Sequence, residues 1–205
     1  VIDNLSNSSV DVINNINSLL KKNVNFFLID LTNINDLDKI FSKINPDLVI
    51  HFAGKKSVSE SILNPLEYFN CNIQGTINLL KVMNKNNCKK IIFSSSASIY
   101  GMPKYLPIDE NHPICPLTPY SKTKYFIEEI LKDWSNINLE RGVLSLRYFN
   151  PIGNHPSGII GENSKSNFDN IFQIISNSLI EKSSFVNIFG DDYDTIDGTG
   201  VRDYV

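Results

Sequence analysis

Short apolar runs that stop at an acid or a small polar residue alternate along this chain with stretches of helical spacing. That alternation most narrows the folds open to it. "NVNFFLID" (23–30), "DLVIHF" (47–52), "KKIIFSSS" (89–96) and "GVLSLRYF" (142–149) read as strands. Between them, "NINDLDKIFSKI" (33–44), "PLEYFNCNIQGTINLLKVMNKN" (65–86) and "TPYSKTKYFIEEILKDW" (118–134) read as amphipathic helices. The second of these carries Pro65 at a favourable first-turn position. Strand and helix taking turns predict parallel β-α units, hence an α/β fold with a doubly wound parallel sheet. After residue 150 the texture changes to a Gly/Pro-rich loop, a helix around 168–181, and short strands at "FVNIFG" and "VRDYV". This is read as the start of a smaller second region.

The predicted strands end at Asp3, Asp30, "HFAG" (51–54), "SSS" (94–96) and "RYFN" (147–150). In open parallel sheets, ligands bind beyond the carboxyl ends of the strands. Polar and small residues gathered at five such ends point to a site there, although polar loops must follow strands in any case.

Composition removes other classes. The net charge is −3, with no basic footprint for nucleic acid. No apolar run approaches the ~20 residues of a membrane span. The three cysteines contain no C-x-x-C, and the three histidines form no ligand pair, so no metal is expected and a reducing cytoplasm is the default. Asn occurs 27 times, so Asn is discounted as a helix-cap signal.

The first glycine is Gly54, and no G-x-G-x-x-G or G-x-x-x-x-G-K-[ST] occurs. Yet "VID" reads as the end of a second strand whose acid, Asp3, would meet an adenosine ribose. The expectation is that a first strand, its glycine turn and the following helix are missing. On that reading, residues 1–205 alone would be inactive and poorly stable.

With "IDNLSNS" (2–8), "HFAGKKSVSES" (51–61), "FSSSASIYG" (93–101), "PYSKTK" (119–124), "LRYFNPIGNHPSGIIGE" (146–162) and "IFGDDYDTIDGTGVRDYV" (188–205) in order, the chain resembles the extended short-chain dehydrogenase/reductase family. Within that family it resembles the UDP-glucose 4-epimerases. Tyr-x-x-x-Lys alone recurs by chance; the ordered set does not. Cys71, Lys55 and Ser121 depart from the family's usual Asn, apolar residue and Gly.

The resemblance implies a Rossmann-like fold, with residues 1–149 an incomplete NAD-binding domain and 150–205 a partial UDP-sugar-binding region. It implies NAD-dependent interconversion of UDP-glucose and UDP-galactose through a 4-keto sugar. It leaves a homodimer open and says nothing about N-acetylated sugars. The implied catalytic residues are Ser96, Tyr120 and Lys124. A free phenol has a pKa of about 10, too high for a base at neutral pH. An ammonium four residues on shares its helix face and lowers such a pKa by roughly one to three pKa units. Ser96 would hydrogen-bond the reacting hydroxyl.

Asp3, Asn4, Asn7, Ser8, Asp30, Leu31, Phe52, Ala53, Gly54, Lys56 and Phe149 would line the cofactor, together with Tyr120 and Lys124. Asn150, Asn170, Ile171, Asn187, Phe189 and Arg202 would hold the UDP-sugar, alongside Ser96. Blander readings stand beside these. Tyr120 and Lys124 can be a surface pair, Lys56 a solvated loop lysine, Phe149 a core aromatic, and Arg202 a surface residue. Two other functions stay open: a related epimerase or dehydratase, and an inactive nucleotide-sugar-binding remnant. Dehydratases of the family carry an Asp-Glu pair where this chain has Ala97 and Ser98. A serine hydrolase lacks its G-x-S-x-G elbow.

Overall fold

The computed structural model describes residues 1–161, 171–181, 186–187 and 190–205. Its elements run β1 (Ile2–Asp3), α1 (Asp11–Leu20), β2 (Phe27–Leu28), α2 (Ile34–Ile44), β3 (Val49–His51), α3 (Val58–Leu63), α4 (Pro65–Tyr68), α5 (Gly75–Lys85), β4 (Lys90–Ser96), α6 (Pro119–Asn136), β5 (Gly142–Tyr148) and α7 (Ile171–Glu181). Every strand pairing is parallel, as the alternation predicts. The ladder runs in two pieces, β1–β2 and β3–β4–β5.

The chain divides into two compact units. One comprises Ile2–Asn4 and Phe27–Tyr148, and holds all five strands found among the described residues; the other comprises Val1, Leu5–Phe26 and Phe149–Val205. In the strand-bearing unit, Leu37 and Phe41 of α2, Leu79, Leu80, Val82 and Met83 of α5, Ile127, Leu131 and Trp134 of α6, and Ile91 and Phe93 of β4 form one buried cluster. Ile2, Ile29 and Val49 pack against it, so both pieces of the ladder share that core.

Only one face of the sheet is covered this deeply. Ile91, Phe93 and Ser95 are buried, whereas Ile50 and Leu144 are 58% and 52% exposed. The all-apolar run "LVI" (48–50) is therefore deeply covered on one face only, because the covering helices of this unit pack on one side.

The helix expected over 65–86 is interrupted. Residues Phe69–Gln74 form a π-helical turn between α4 and α5. Such insertions free backbone groups and recur at functional sites. Neither α1 nor α3 was anticipated. The strand expected at "VRDYV" reduces to one parallel bridge, Asn150 to Tyr204. Half of the strand expected at "FVNIFG" falls outside the described residues, and its described positions carry no strand.

Helix α6 begins where its sequence dictates. The Thr118 hydroxyl accepts from the Ser121 backbone N–H, the Ser121 hydroxyl accepts from the Thr118 N–H, and Pro119 occupies the first turn. Caps of this kind contribute about 1 kcal/mol, and this one sets where Tyr120 emerges. Upstream, Gly101 sits at φ +67°, where a Cβ would lie 2.2 Å from the Cys115 carbonyl oxygen. Only glycine lets the segment after β4 fold back that closely. Among the described residues, no helix is long and apolar enough to cross a membrane. No group of three or more His, Cys, Asp or Glu side chains among them could hold a metal ion.

Candidate active site

Ser96 is the last residue of β4, and Tyr120 lies in the first turn of α6. The Ser96 side chain acts on the Tyr120 phenol and pulls its pKa down. Lys124, one turn along α6, is buried. Its Nζ donates to the Ser94 carbonyl at 2.7 Å and lies 5.0 Å and 5.7 Å from the ring centroids of Phe93 and Tyr120. The pair at 120 and 124 is therefore not a solvated surface pair.

The electrostatics differ from expectation. Burial raises the Tyr120 pKa, and the Ser96 side chain opposes this only in part. Burial also pushes Lys124 down to about 8. The lowering of the phenol expected from the ammonium is thus not found; desolvation dominates and disfavours the phenolate and the ammonium alike. An additional positive charge beside the phenol would be needed to bring it toward neutral pH.

Asn72, within the π-helical turn, holds the surrounding loops. Its Oδ1 accepts from the Lys55 N–H at 2.8 Å, and its Nδ2 donates to the Lys55 carbonyl and the Thr123 hydroxyl, both at 3.1 Å. The Thr123 hydroxyl in turn donates to the Tyr120 carbonyl at 2.7 Å. Gly54, at φ +147°, leaves no room for a side chain, since a Cβ would lie 2.9 Å from Asn72 Oδ1. Thr76 donates its hydroxyl to the Asn72 carbonyl at 2.6 Å and lies 2.9 Å from His51 Nε2. With that proton already given, Nε2–H of a neutral His51 is the donor to Thr76. Sequence reading missed Asn72, Thr76, Thr123 and His51. The one available signal, an Asn inside a helix, was lost among so many others.

The ends of β1 and β2 meet as expected. Asn4 Nδ2 donates to Asp30 at 2.7 Å, and Asp30 also accepts from the Thr32 N–H and hydroxyl at 2.8 and 2.6 Å. The Thr32 hydroxyl contributes most to holding the Asp30 carboxyl below its ordinary range. Asp3 closes β1. The Leu31 carbonyl is taken by Asn78, and its side chain packs on the core. Phe52 is 62% exposed after β3, 6.4 Å from the Tyr148 ring, with exposed Ala53 beside it. Lys56 is exposed, whereas neighbouring Lys55 pairs with Glu60 at 2.7 Å and Glu67 at 2.8 Å.

The remaining candidates lie in the other unit. Asn7 and Ser8 precede α1, and Phe149 is half-buried. Asn150 pairs with the terminal segment through the Asp203 carbonyl and the Val205 N–H, Asp203 being the residue that follows Arg202. Arg202 is exposed, with Nη1 on the Val201 carbonyl. Ile171 opens α7 and Asn187 is exposed. Asn170 and Phe189 lie outside the described residues.

At the opposite ends of the strands, a polar cleft of about 310 Å³ lies among Asn45, Asp47, Lys89, Lys90 and Glu140. Ser96, Tyr120 and Lys124 do not line it.

The family described as GDP-mannose 4,6 dehydratase matches this chain over residues 1–205. The chain belongs to that family. Among the similar relatives are two UDP-glucose 4-epimerases. That of Dictyostelium discoideum is 46% identical over 205 residues, which is 100% of this chain and 60% of the relative. That of Bacillus subtilis (strain 168) is 43% identical over the same share of each. The crystal structure of UDP-glucose 4-epimerase from Bifidobacterium longum, in complex with NAD+ and UDP, superposes with a TM-score of 0.96 at 43% identity, covering 100% of this chain and 61% of that one. The chain thus spans about 60% of the length of the curated relatives it matches. This dehydratase-family chain shares the Rossmann-like α/β fold of those enzymes.

Proposed function

We propose that the full-length protein interconverts UDP-glucose and UDP-galactose through a 4-keto sugar, using bound NAD. The observation that carries this is Ser96 at the end of β4 acting on Tyr120 in the first turn of α6, beside buried Lys124, with Ala97 and Ser98 following Ser96. A phenol and a hydroxyl at one point can take and return the proton of a single sugar hydroxyl. Elimination of water would need a carboxylic acid beside them, and positions 97 and 98 offer none. The names of the relatives support the same reading over the family's dehydratase description.

The residues present suit NAD. Asp3, Asn4 and Asp30 would hold the adenosine end, with Leu31, Asn7 and Ser8 around it. Phe52, Ala53, Gly54, Lys56 and Phe149 would flank the dinucleotide, and Lys124 would bind the nicotinamide ribose. When bound, NAD would accept a hydride from the sugar and return it, and its cationic ring would supply the positive charge that Tyr120 lacks. Asn150, Asn170, Ile171, Asn187, Phe189 and Arg202 would hold the UDP group. A guanidinium suits a diphosphate because it donates parallel hydrogen bonds. On this reading residues 1–149 serve the dinucleotide and 150–205 the nucleotide sugar.

A cytoplasmic setting suits free cysteines at 71, 88 and 115. Ile62, Leu63 and Leu66 on α3 and α4 are 60%, 79% and 81% exposed, and neighbouring α6 adds Phe126 at 43%. A second copy covering that face makes a homodimer, and sedimentation of the full chain at its monomer mass removes it. The activity is tested by giving the purified full-length protein UDP-galactose without added reductant. UDP-glucose is the expected product; a 4-keto-6-deoxy sugar would instead assign elimination.

A further inference from the structure

We propose that Glu128 and Arg147 are positioning residues, a carboxylate–guanidinium clamp that sets the register of α6 on the sheet and so brings Tyr120 to Ser96. The proposal deepens the function read above and rests on it. Tyr120, Lys124 and Glu128 stand four apart and share one face of α6. Lys124 touches the sheet through a single bond to the Ser94 carbonyl, which allows pivoting. Glu128 does not. Arg147 Nε donates to its Oε1 at 3.1 Å and Nη2 to its Oε2 at 2.7 Å, while the Ser95 hydroxyl also donates to Oε1. Two parallel bonds from a planar guanidinium resist both sliding and rotation.

The donors are placed for this role. Ser95 and Arg147 are register partners on β4 and β5, and the next pair is Ser96 with Tyr148. The clamp therefore grips the sheet one residue before the strand-end hydroxyl. The Glu128 side chain is only 9% exposed and that of Arg147 21%, so water screens the pair little. Arg147 also reaches past the helix. Its Nη1 donates to the Tyr100 hydroxyl at 2.8 Å and to the Glu110 carbonyl at 3.4 Å, and its guanidinium lies over the Tyr100 ring at 5.1 Å. Tyr100 ends the 3₁₀ turn Ala97–Tyr100 that starts directly after Ser96. One guanidinium thus ties together the helix carrying Tyr120, the strand beside Ser96, and the turn that follows Ser96. Two hydroxyls that serve one reacting proton demand this, because a displacement of about 1 Å can cost ~10²-fold in rate.

The test uses the full-length protein with Glu128→Gln, Glu128→Asp and Arg147→Lys. Turnover, KM for UDP-galactose, bound NAD and the thermal midpoint are measured. The Tyr120 ring is titrated by NMR with isotope-labelled tyrosine, its signal assigned through Tyr120→Phe. Glu128→Gln keeps the length and the Ser95 bond but sets an amide NH2 against a guanidinium N–H, so one of the two parallel bonds is lost and kcat falls roughly 10-fold. Glu128→Asp is one methylene short, so the expected loss is roughly 10- to 100-fold in kcat, with KM and bound NAD unchanged and a shifted Tyr120 titration. Arg147→Lys behaves alike, and combining it with Glu128→Asp adds little further loss, as expected for one shared interaction. Arg147→Lys also decides the matter if Glu128→Asp does not fold. A folded Asp or Lys variant with parental kcat and parental Tyr120 titration overturns the clamp, as does a kcat loss that merely tracks the folded fraction. The titration needs no turnover. A parent inactive on UDP-galactose therefore overturns the function above, while the clamp is still judged by the titration.

Discussion

Replacing Tyr120 by Phe in the full-length protein is expected to lower turnover by about 10²–10⁴-fold, the usual contribution of a positioned acid–base group. Bound NAD and the fold should be retained. The substitution removes one oxygen and leaves the ring that lies beside Lys124 and after the Thr118 cap. The backbone carbonyl of residue 120, held by Thr123, is untouched. The Ser96 hydroxyl still accepts from the Ser98 N–H at 3.2 Å, so β4 keeps its end. Turnover and NAD content measured on the same preparation check this. A variant within tenfold of the parent would assign proton transfer to another group, of which the Ser96 hydroxyl is the nearest.

The second large effect is on stability. Protonation of His51 is expected to destabilise the fold by about 3 kcal/mol between neutral pH and about pH 4. Burial, aided by the positive Lys124, depresses the His51 pKa to about 3 from an ordinary 6.5. Below the unfolded value the open chain binds a proton that the folded chain refuses. Stability is therefore whole above about 6.5 and is lost progressively as pH falls toward 3. That loss is a large part of a typical domain's margin of roughly 5–15 kcal/mol. His51→Gln can offer an amide N–H to Thr76 and cannot take up the proton. Urea unfolding of parent and variant across this range checks the expectation. The variant's curve should be flatter with acid; parallel curves would mean that His51 is already charged in the fold or is reached by water.

How much of this was legible in the chain follows from how far apart the interacting residues stand. Pattern at a distance of two to four residues was enough for the parallel α/β class and for the boundaries of α2, α6, β4 and β5; Ser96, Tyr120 and Lys124 were singled out only through the ordered set of motifs that the chain shares with its family. The strand "KKIIFSSS" and the proline-led helix "PYSKTK" declare themselves because propensity, capping and periodicity agree there. The same local reading failed for 65–86, where one apolar period conceals a π-helical turn. No residue in that stretch marks where the helix yields to hold Asn72 against Lys55 and Thr123.

What the sequence determined by itself is which groups are available at the strand ends: a hydroxyl, a phenol and an amine, with no acid at 97 or 98. What only the tertiary structure decided is their electrical state and their alignment. Burial of Tyr120 and Lys124 reverses the direction expected from their spacing alone, because desolvation depends on neighbours brought in from β4. Alignment depends on Asn72 meeting Thr123 across 51 residues and on Arg147 meeting Tyr100 across 47. No local pattern encodes those separations; they exist only once parallel strands have brought distant segments side by side.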